Sequence, residues 1–133
     1  MKKTSGFTII ELIVVITILG ILAAVALPKF FDVTTEAKNA ALKGVVGGIA
    51  SGSAINYGAR LAKGVAGAHT VNACTNAALG KVMTGGFPSG YTASGAATPT
   101  ANGDVFSCTV TDSADATITT TVSVIGVVDG TLP

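Results

Sequence analysis

One carboxylate lies where a charged side chain is costly. Glu11 is the only charged residue in the apolar run Phe7–Leu27, which reads FTIIELIVVITILGILAAVAL. A carboxylate inside a bilayer costs on the order of 2.5–3.5 kcal/mol on insertion scales, so an acid there is expected to have a function and a cationic partner. Because no Lys or Arg lies between Lys3 and Lys29, the cation must come from outside this segment.

Two cysteines, Cys74 and Cys108, are the other residues with distinctive chemistry. An even number of cysteines in a chain with an export signal predicts one disulfide. Such a bond would contribute about 4 kcal/mol in the chain-entropy model, which is a large share for a small domain. Two buried free thiols are the alternative.

The remaining polar residues indicate no enzyme, cofactor or metal site. We find no nucleophile elbow, phosphate-binding loop, zinc-ligand spacing or paired carboxylates. His69 has no second histidine, cysteine or acid cluster beside it, so it is interpreted as a surface loop residue. Asp104, Asp112 and Asp115 lie at turn signals and miss most of the calcium-loop pattern.

Length and charge limit the other possibilities. The chain has 133 residues, enough for one domain with a small core, and a formal net charge of +1. Removal of Met1–Gly6 would take away Lys2 and Lys3 and leave six basic against seven acidic side chains. No basic patch remains, so nucleic-acid binding is not predicted.

The apolar run is long enough to cross a membrane. Its 21 residues would form a helix of roughly 30 Å, the thickness of a bilayer core. Lys2 and Lys3 would then stay on the cytoplasmic side. A secretory signal peptide cut after Ala24-Val25-Ala26, or a plain membrane anchor, are alternatives. Neither explains Glu11.

The start of the chain resembles the processing motif of type IV prepilins. The motif is the segment Gly6–Leu12, GFTIIEL, behind a short basic leader. The resemblance implies that a prepilin peptidase and methyltransferase cuts between Gly6 and Phe7 and methylates the new amine. The Phe7 amine of one subunit would then pair with Glu11 of its neighbour and set the register between subunits. Thr8 is assigned to assembly with Glu11.

The same resemblance implies an α+β fold, with a long kinked helix packed on a small antiparallel sheet. Residues 1–6 would be the leader, 7–27 the membrane and filament-core half of the helix, and 28–133 the globular domain. Gly20 and Pro28 match weak points between which the family's helix can unwind on assembly; a simple kink is the alternative. The neighbourhood Phe30-Phe31-Asp32 is most similar to mannose-sensitive haemagglutinin-type major pilins.

The helix is predicted to continue past Pro28 to about Ala62, with Gly64 as its C-cap. Its polar surfaces are marked by Glu36, Lys38, Lys43, Arg60 and Lys63. A glycine strip, Gly44, Gly48 and Gly52 with Gly47 alongside, is unexpected because each costs close to 1 kcal/mol against Ala. We interpret the strip as a groove for the sheet or a neighbouring helix; a frayed helix is the alternative.

The second half of the chain predicts a short helix and two strands. The helix is expected within Cys74–Thr84, followed by a turn at Phe87–Tyr91 and a loop at Ala93–Gly103. Val105–Thr111 and Ala116–Val124 alternate apolar and hydroxyl side chains around a turn at 112–115, which indicates a hairpin.

The function implied is structural: a pilus subunit for adhesion or motility, held in the inner membrane as a precursor and then part of an extracellular fibre. Its partners would be other copies of itself, the peptidase, the inner-membrane assembly machinery and, before assembly, the membrane. A pseudopilin of a type II secretion system, and a minor pilin acting as an adhesin or DNA-binding module, are the alternatives.

Overall fold

The computed structural model describes residues 6–128 in two compact units, which meet between Glu36 and Ala37. Of the predicted leader, residues 1–5, which include Lys2 and Lys3, lie outside the described residues. Helix α1 (Ile9–Lys63) runs without interruption past Gly20 and Pro28. Unwinding between those two residues on assembly stays a prediction.

Helix α1 ends as the sequence predicts. Its last residue is Lys63, and Gly64 has a φ of +67°, a left-handed conformation that only glycine adopts without strain. A single 3₁₀ turn, Gly64–Gly67, follows.

The chain after this turn is held to the rest of the second unit at two points. The side-chain amide of Asn56 donates to the carbonyl of His69 (2.8 Å) and accepts from its N–H (2.8 Å), as a neighbouring strand would. Val71 then forms an antiparallel bridge with Val127. We name the Asn56–His69 contact the amide clamp.

Helix α2 is shorter than the predicted Cys74–Thr84 and spans Asn76–Gly80. Thr75 caps its start, since its hydroxyl accepts from the Ala78 N–H at 3.2 Å. The helix stops at Gly80 because the chain folds back closely there. A side chain at Gly80 would meet the backbone N of Phe87.

Three antiparallel strands form one sheet in the order β1-β2-β3: β1 (Tyr91–Ser94), β2 (Val105–Asp112) and β3 (Thr119–Ile125). The hairpin prediction is confirmed for β2 and β3. Strand β1 was predicted as turn and loop, which is wrong. Its four residues carry little apolar signal and form a strand through pairing with Thr109–Asp112 of β2.

The β2–β3 turn is longer than predicted, so β3 starts at Thr119 rather than Ala116. The carboxylate of Asp115 accepts from the Thr117 hydroxyl (2.6 Å) and N–H (3.2 Å), which keeps these residues in the turn. The N–H of Asp112 closes the turn on the Ile118 carbonyl at 2.9 Å.

The core of the second unit lies between α1 and the inner face of the sheet, as the alternation predicts. Leu42 and Ile49 of the helix are 1% and 0% exposed. They belong to one cluster with buried residues of the sheet and its turn: Cys108, Val110, Ile118, Val122 and Val124. The prediction of an α+β fold with a long helix and a small antiparallel sheet is confirmed.

Arg60 was predicted on a polar surface, and this is wrong. Its side chain is 1% exposed, and its Nη2 donates to the Val128 carbonyl at 3.4 Å. Ser53 is also fully buried and accepts from the backbone N–H of Ile125 at 3.3 Å. Polar contacts as well as apolar ones therefore join α1 to the end of β3 and the residues after it.

The glycine strip has two parts, which differ in what lies beside them. Gly48 and Gly52 lie against the segment after α2: a Cβ at Gly48 would be 3.3 Å from Met83 Cε, and one at Gly52 would collide with the Val82 carbonyl. Nothing lies within 4 Å of a Cβ at Gly44 or Gly47. Within this chain, the close-packing role therefore belongs to Gly48 and Gly52.

Replacement of Gly52 by Ala is expected to lower the free energy of unfolding of the second unit by about 1–3 kcal/mol. The added methyl group has no space beside the Val82 carbonyl, and overpacking outweighs the gain of about 1 kcal/mol in helix propensity. Gly44→Ala is the matched control and should raise stability by up to about 1 kcal/mol, because that position is open. Urea unfolding followed by tyrosine fluorescence would measure both; equal effects would contradict the packing argument.

Candidate functional site

The start of α1 is built by a reciprocal contact between Thr8 and Glu11. The Glu11 Oε2 accepts from the Thr8 backbone N–H (2.8 Å) and hydroxyl (2.7 Å), and the Thr8 hydroxyl accepts from the Glu11 N–H (3.3 Å). This is a capping box, which satisfies backbone donors that a helix start otherwise leaves unpaired. The Thr-x-x-Glu spacing carries this signal in the sequence, and our sequence analysis missed it.

The capping box leaves part of the carboxylate available. Both hydrogen bonds that Glu11 accepts go to Oε2, and within residues 6–128 no donor contacts Oε1. The apolar residues Phe7, Ile10, Val14 and Val15 lie beside Glu11 on an open surface. Glu11 is thus a negative charge on an apolar surface, held by the backbone N–H and hydroxyl of Thr8, with one oxygen that has no donor among residues 6–128.

The helix behind this charge presents apolar side chains to its surroundings. Residues 7–27 are all exposed, and Phe7 itself is 87% exposed. By length and composition α1 qualifies as a membrane span, with a mean hydropathy of 2.9 in its most apolar window. A signal sequence near the N-terminus would pass the same test. Such a surface needs a membrane or a partner to cover it.

Of the predicted site residues, the structure brings together Gly6, Phe7, Thr8 and Glu11 at the start of α1. Gly20 and Pro28 lie within the helix, further along.

The predicted disulfide between Cys74 and Cys108 is present, with a Cα–Cα distance of 5.4 Å. Both residues are buried, at 4% and 0% exposure. Cys108 lies in the central strand β2 and Cys74 in the segment before α2. The bond therefore ties the connecting region to the sheet, and the alternative of two free thiols is wrong.

The aspartates predicted as turn residues bind their own turns. The N–H groups of Ala101 and Thr100 and the Thr100 hydroxyl donate to Asp104 and hold its pKa below the ordinary value. The Thr117 hydroxyl and N–H, and further Lys38 at 3.6 Å, lower the pKa of Asp115. In the part of the chain that the structure describes, no three metal-ligating side chains come together.

The first comparison with known proteins concerns the start of the chain. Residues 1–27 match the family model described as the prokaryotic N-terminal methylation motif. No solved structure matches the chain. The family match covers the predicted leader, the capping box and the apolar run, and it does not extend to the sheet.

Relatives with a known name match a somewhat longer segment than the family model does. The chain is 43% identical over 53 residues to the type IV narrow pilus major component PilA5 of Thermus thermophilus, which covers 40% of this chain and 46% of that protein. It is 53% identical over 36 residues to a fimbrial protein of Pseudomonas aeruginosa, covering 27% and 23%. A third relative is the type IV major pilin protein PilE1 of Neisseria gonorrhoeae, at 64% over 33 residues, covering 25% and 20%.

The matched segments span less than half of the length of these relatives. The methylation motif and the relatives named as pilins and fimbrial proteins nevertheless agree with each other and with the fold. Together they show that the start of this chain, residues 1–27, carries the N-terminal methylation motif and is similar to the start of type IV pilins and fimbrial proteins.

Proposed function

We propose that this protein is cleaved after Gly6, N-methylated at Phe7 and polymerised through α1 into a surface fibre used for adhesion or motility. The observation that carries the proposal is Glu11: it is the one carboxylate in the exposed, otherwise uncharged stretch 7–27, and its Oε1 has no donor among the described residues. Cleavage after Gly6 would create a positive amine at Phe7, and an amine is the partner that such a carboxylate needs.

The pairing would act between subunits. When apolar helices pack side by side, the Phe7 amine of one copy can bind Oε1 of the next while Oε2 keeps its own capping box. An ion pair in an apolar core is weakly screened and strongly position-dependent, so it would fix the register of the copies.

This proposal assigns a role to each segment of the chain. Residues 1–6 would be the leader, 7–27 the half that leaves the inner membrane for the filament core, and 28–133 the globular domain outside it. The partners would be the membrane, a prepilin peptidase, the inner-membrane assembly machinery and further copies of this chain. The finished fibre would be extracellular.

The test is the chemical identity of the protein's terminus. Fibres sheared from the cell surface should contain a chain that begins at N-methylated Phe7, as read by mass spectrometry. A chain that begins at Met1, or beyond Ala26, would overturn the proposal. Protein that begins at methylated Phe7 but stays in the periplasm, with no fibre on the surface, would favour a secretion pseudopilin instead.

A further inference from the structure

Strand β1 lies at one edge of the sheet, so only half of its backbone groups face β2. The ladder between β1 and β2 continues past the strand ends, where the Ser113 N–H donates to the Gly90 carbonyl at 2.8 Å. In an antiparallel pair every second residue faces the partner strand. Counted from Gly90, the residues of β1 whose backbone groups face away from β2 are Tyr91 and Ala93.

The side-chain amide of Asn76, the first residue of α2, binds both of these outward residues. Its Nδ2 donates to the Tyr91 carbonyl at 3.1 Å, and its Oδ1 accepts from the Ala93 N–H at 2.7 Å. A further antiparallel strand beside β1 would bind the same carbonyl and the same N–H. The side chain thus takes the place of a strand, and we name these two hydrogen bonds the edge cap.

The residues around Asn76 hold it in this place. Cys74, two positions earlier, is bonded covalently to Cys108 of the neighbouring strand β2. The Thr75 side chain caps the start of α2, and Leu79 in the same helix is fully buried in the core. Because α2 is anchored at both ends, little conformational freedom of the backbone is lost when the amide binds β1.

The sequence of β1 offers no other protection against a further strand. Natural sheets usually protect an edge with lysine, proline, a bulge or a covering segment, and the four residues YTAS include neither a charge nor a proline. Antiparallel pairing of two copies about Thr92 would place Tyr91 of each copy opposite Ala93 of the other. The groups that would then bind are the ones that the edge cap occupies.

We propose that the edge cap is an autoinhibitory contact, which prevents β1 from pairing with β1 of a second copy of this chain. The contact acts by competition, because a carbonyl and an N–H that already bind Asn76 must lose those bonds before another strand can bind them. The inference concerns the second unit alone and does not depend on the proposed function.

The experiment removes the edge cap from the full chain in detergent by Asn76→Ala, a change that a helix tolerates. At low protein concentration, hydrogen exchange at the Ala93 N–H should become about fivefold faster or more, because its bond to the side chain is lost. When the protein concentration is raised about a hundredfold, this exchange should slow again and sedimentation should show association, since the freed edges of two copies then pair.

Two further variants locate the association. Asn72→Ala is the matched control, because it makes the same change at an exposed asparagine outside the helices and strands, and it should sediment as the unaltered chain does. Asn76→Ala combined with Ala93→Pro removes the N–H that a second strand would bind, while proline is tolerated at the edge of a sheet. This double variant should lose the association that Asn76→Ala gains.

The proposal is overturned if Asn76→Ala sediments as the unaltered chain does at every concentration. Association that persists in the double variant with proline, or that appears equally in Asn72→Ala, overturns it as well, because another surface would then be responsible. Should Asn76→Ala not fold, as judged by tyrosine fluorescence, Asn76→Ser makes the same prediction. A serine side chain is too short to bind the Tyr91 carbonyl and the Ala93 N–H together.

Discussion

A chain carrying Glu11→Gln is expected to lose its leader normally and yet yield about a hundredfold less fibre. Gln retains a side-chain oxygen for the two Thr8 donors, so the capping box and the helix start remain. What it removes is the negative charge. The Phe7 amine of the next subunit would then be buried without a counterion.

The size of the effect follows from that unpaired amine. Removal of one partner from a buried ion pair costs about 3–5 kcal/mol, and each 1.4 kcal/mol is about a tenfold change in affinity. The amount of sheared fibre, and the fraction of chains that start at Phe7, would be measured together. Cleavage should stay within about twofold of the unaltered chain because the motif at Gly6 and Phe7 is unchanged.

Thr8→Ala is the matched control for the helix start. It removes the hydroxyl that bonds to Oε2 at 2.7 Å and costs about 1 kcal/mol of capping, but it leaves the charge of Glu11 in place. Fibre yield should fall by less than about tenfold. If Thr8→Ala abolishes fibres and Glu11→Gln does not, the contact that assembly needs is the cap and not the ion pair.

Replacement of Cys74 and Cys108 by Ala is expected to lower the free energy of unfolding of the second unit by about 4 kcal/mol. The disulfide spans 34 positions of the sequence, and loss of a cross-link over a loop of this length frees the unfolded chain by roughly that amount. A net stability of about 5–15 kcal/mol is usual, so the variant would keep about 1–11 kcal/mol, and its ratio of unfolded to folded chains would rise by roughly three orders of magnitude. Urea unfolding of the full chain in detergent would measure the change.

The urea unfolding of the second unit can be followed by tyrosine fluorescence, and the reduced protein serves as the control. Both tyrosines, Tyr57 and Tyr91, belong to the second unit, so their fluorescence does not report on the apolar half of α1. The unaltered protein, kept reduced by excess thiol and not alkylated, should show a loss similar to that of the double variant. A difference of less than about 1 kcal/mol between the oxidised protein and the variant would show that packing, and not the cross-link, stabilises the unit.

The sequence predicts well where one physical signal dominates. A single charge in a long apolar run identified Glu11 as a candidate site residue. The strict alternation of Val105–Thr111 predicted strand β2 and which of its side chains face the core. The end of α1 was predicted because Gly64 is where a left-handed residue is needed. Each of these is a local property, visible in a few neighbouring residues.

The errors arise where distant residues decide the structure. Strand β1 exists through its partner β2, and its own composition of Tyr, Thr, Ala and Ser indicates little. Helix α2 stops at Gly80 because Phe87 lies against it. The sequence around Arg60 predicts a surface residue. The side chain is buried because it donates to the Val128 carbonyl, which is 68 positions away in the sequence. Contacts between residues so far apart in the sequence cannot be predicted from the local periodicity of apolar residues.

The amide clamp also bears on how the protein ages. Asparagine side chains lose ammonia when the next backbone nitrogen attacks them, and the product is aspartate. At Asn56 that change would replace the donor to the His69 carbonyl by a negative oxygen and turn an attraction into a repulsion. However, Asn56 is only 7% exposed and lies inside α1, where the backbone is not free to reach the attacking geometry. The amide clamp thus depends on a residue type that is prone to deamidation, at a position where burial and the helix protect it from that reaction.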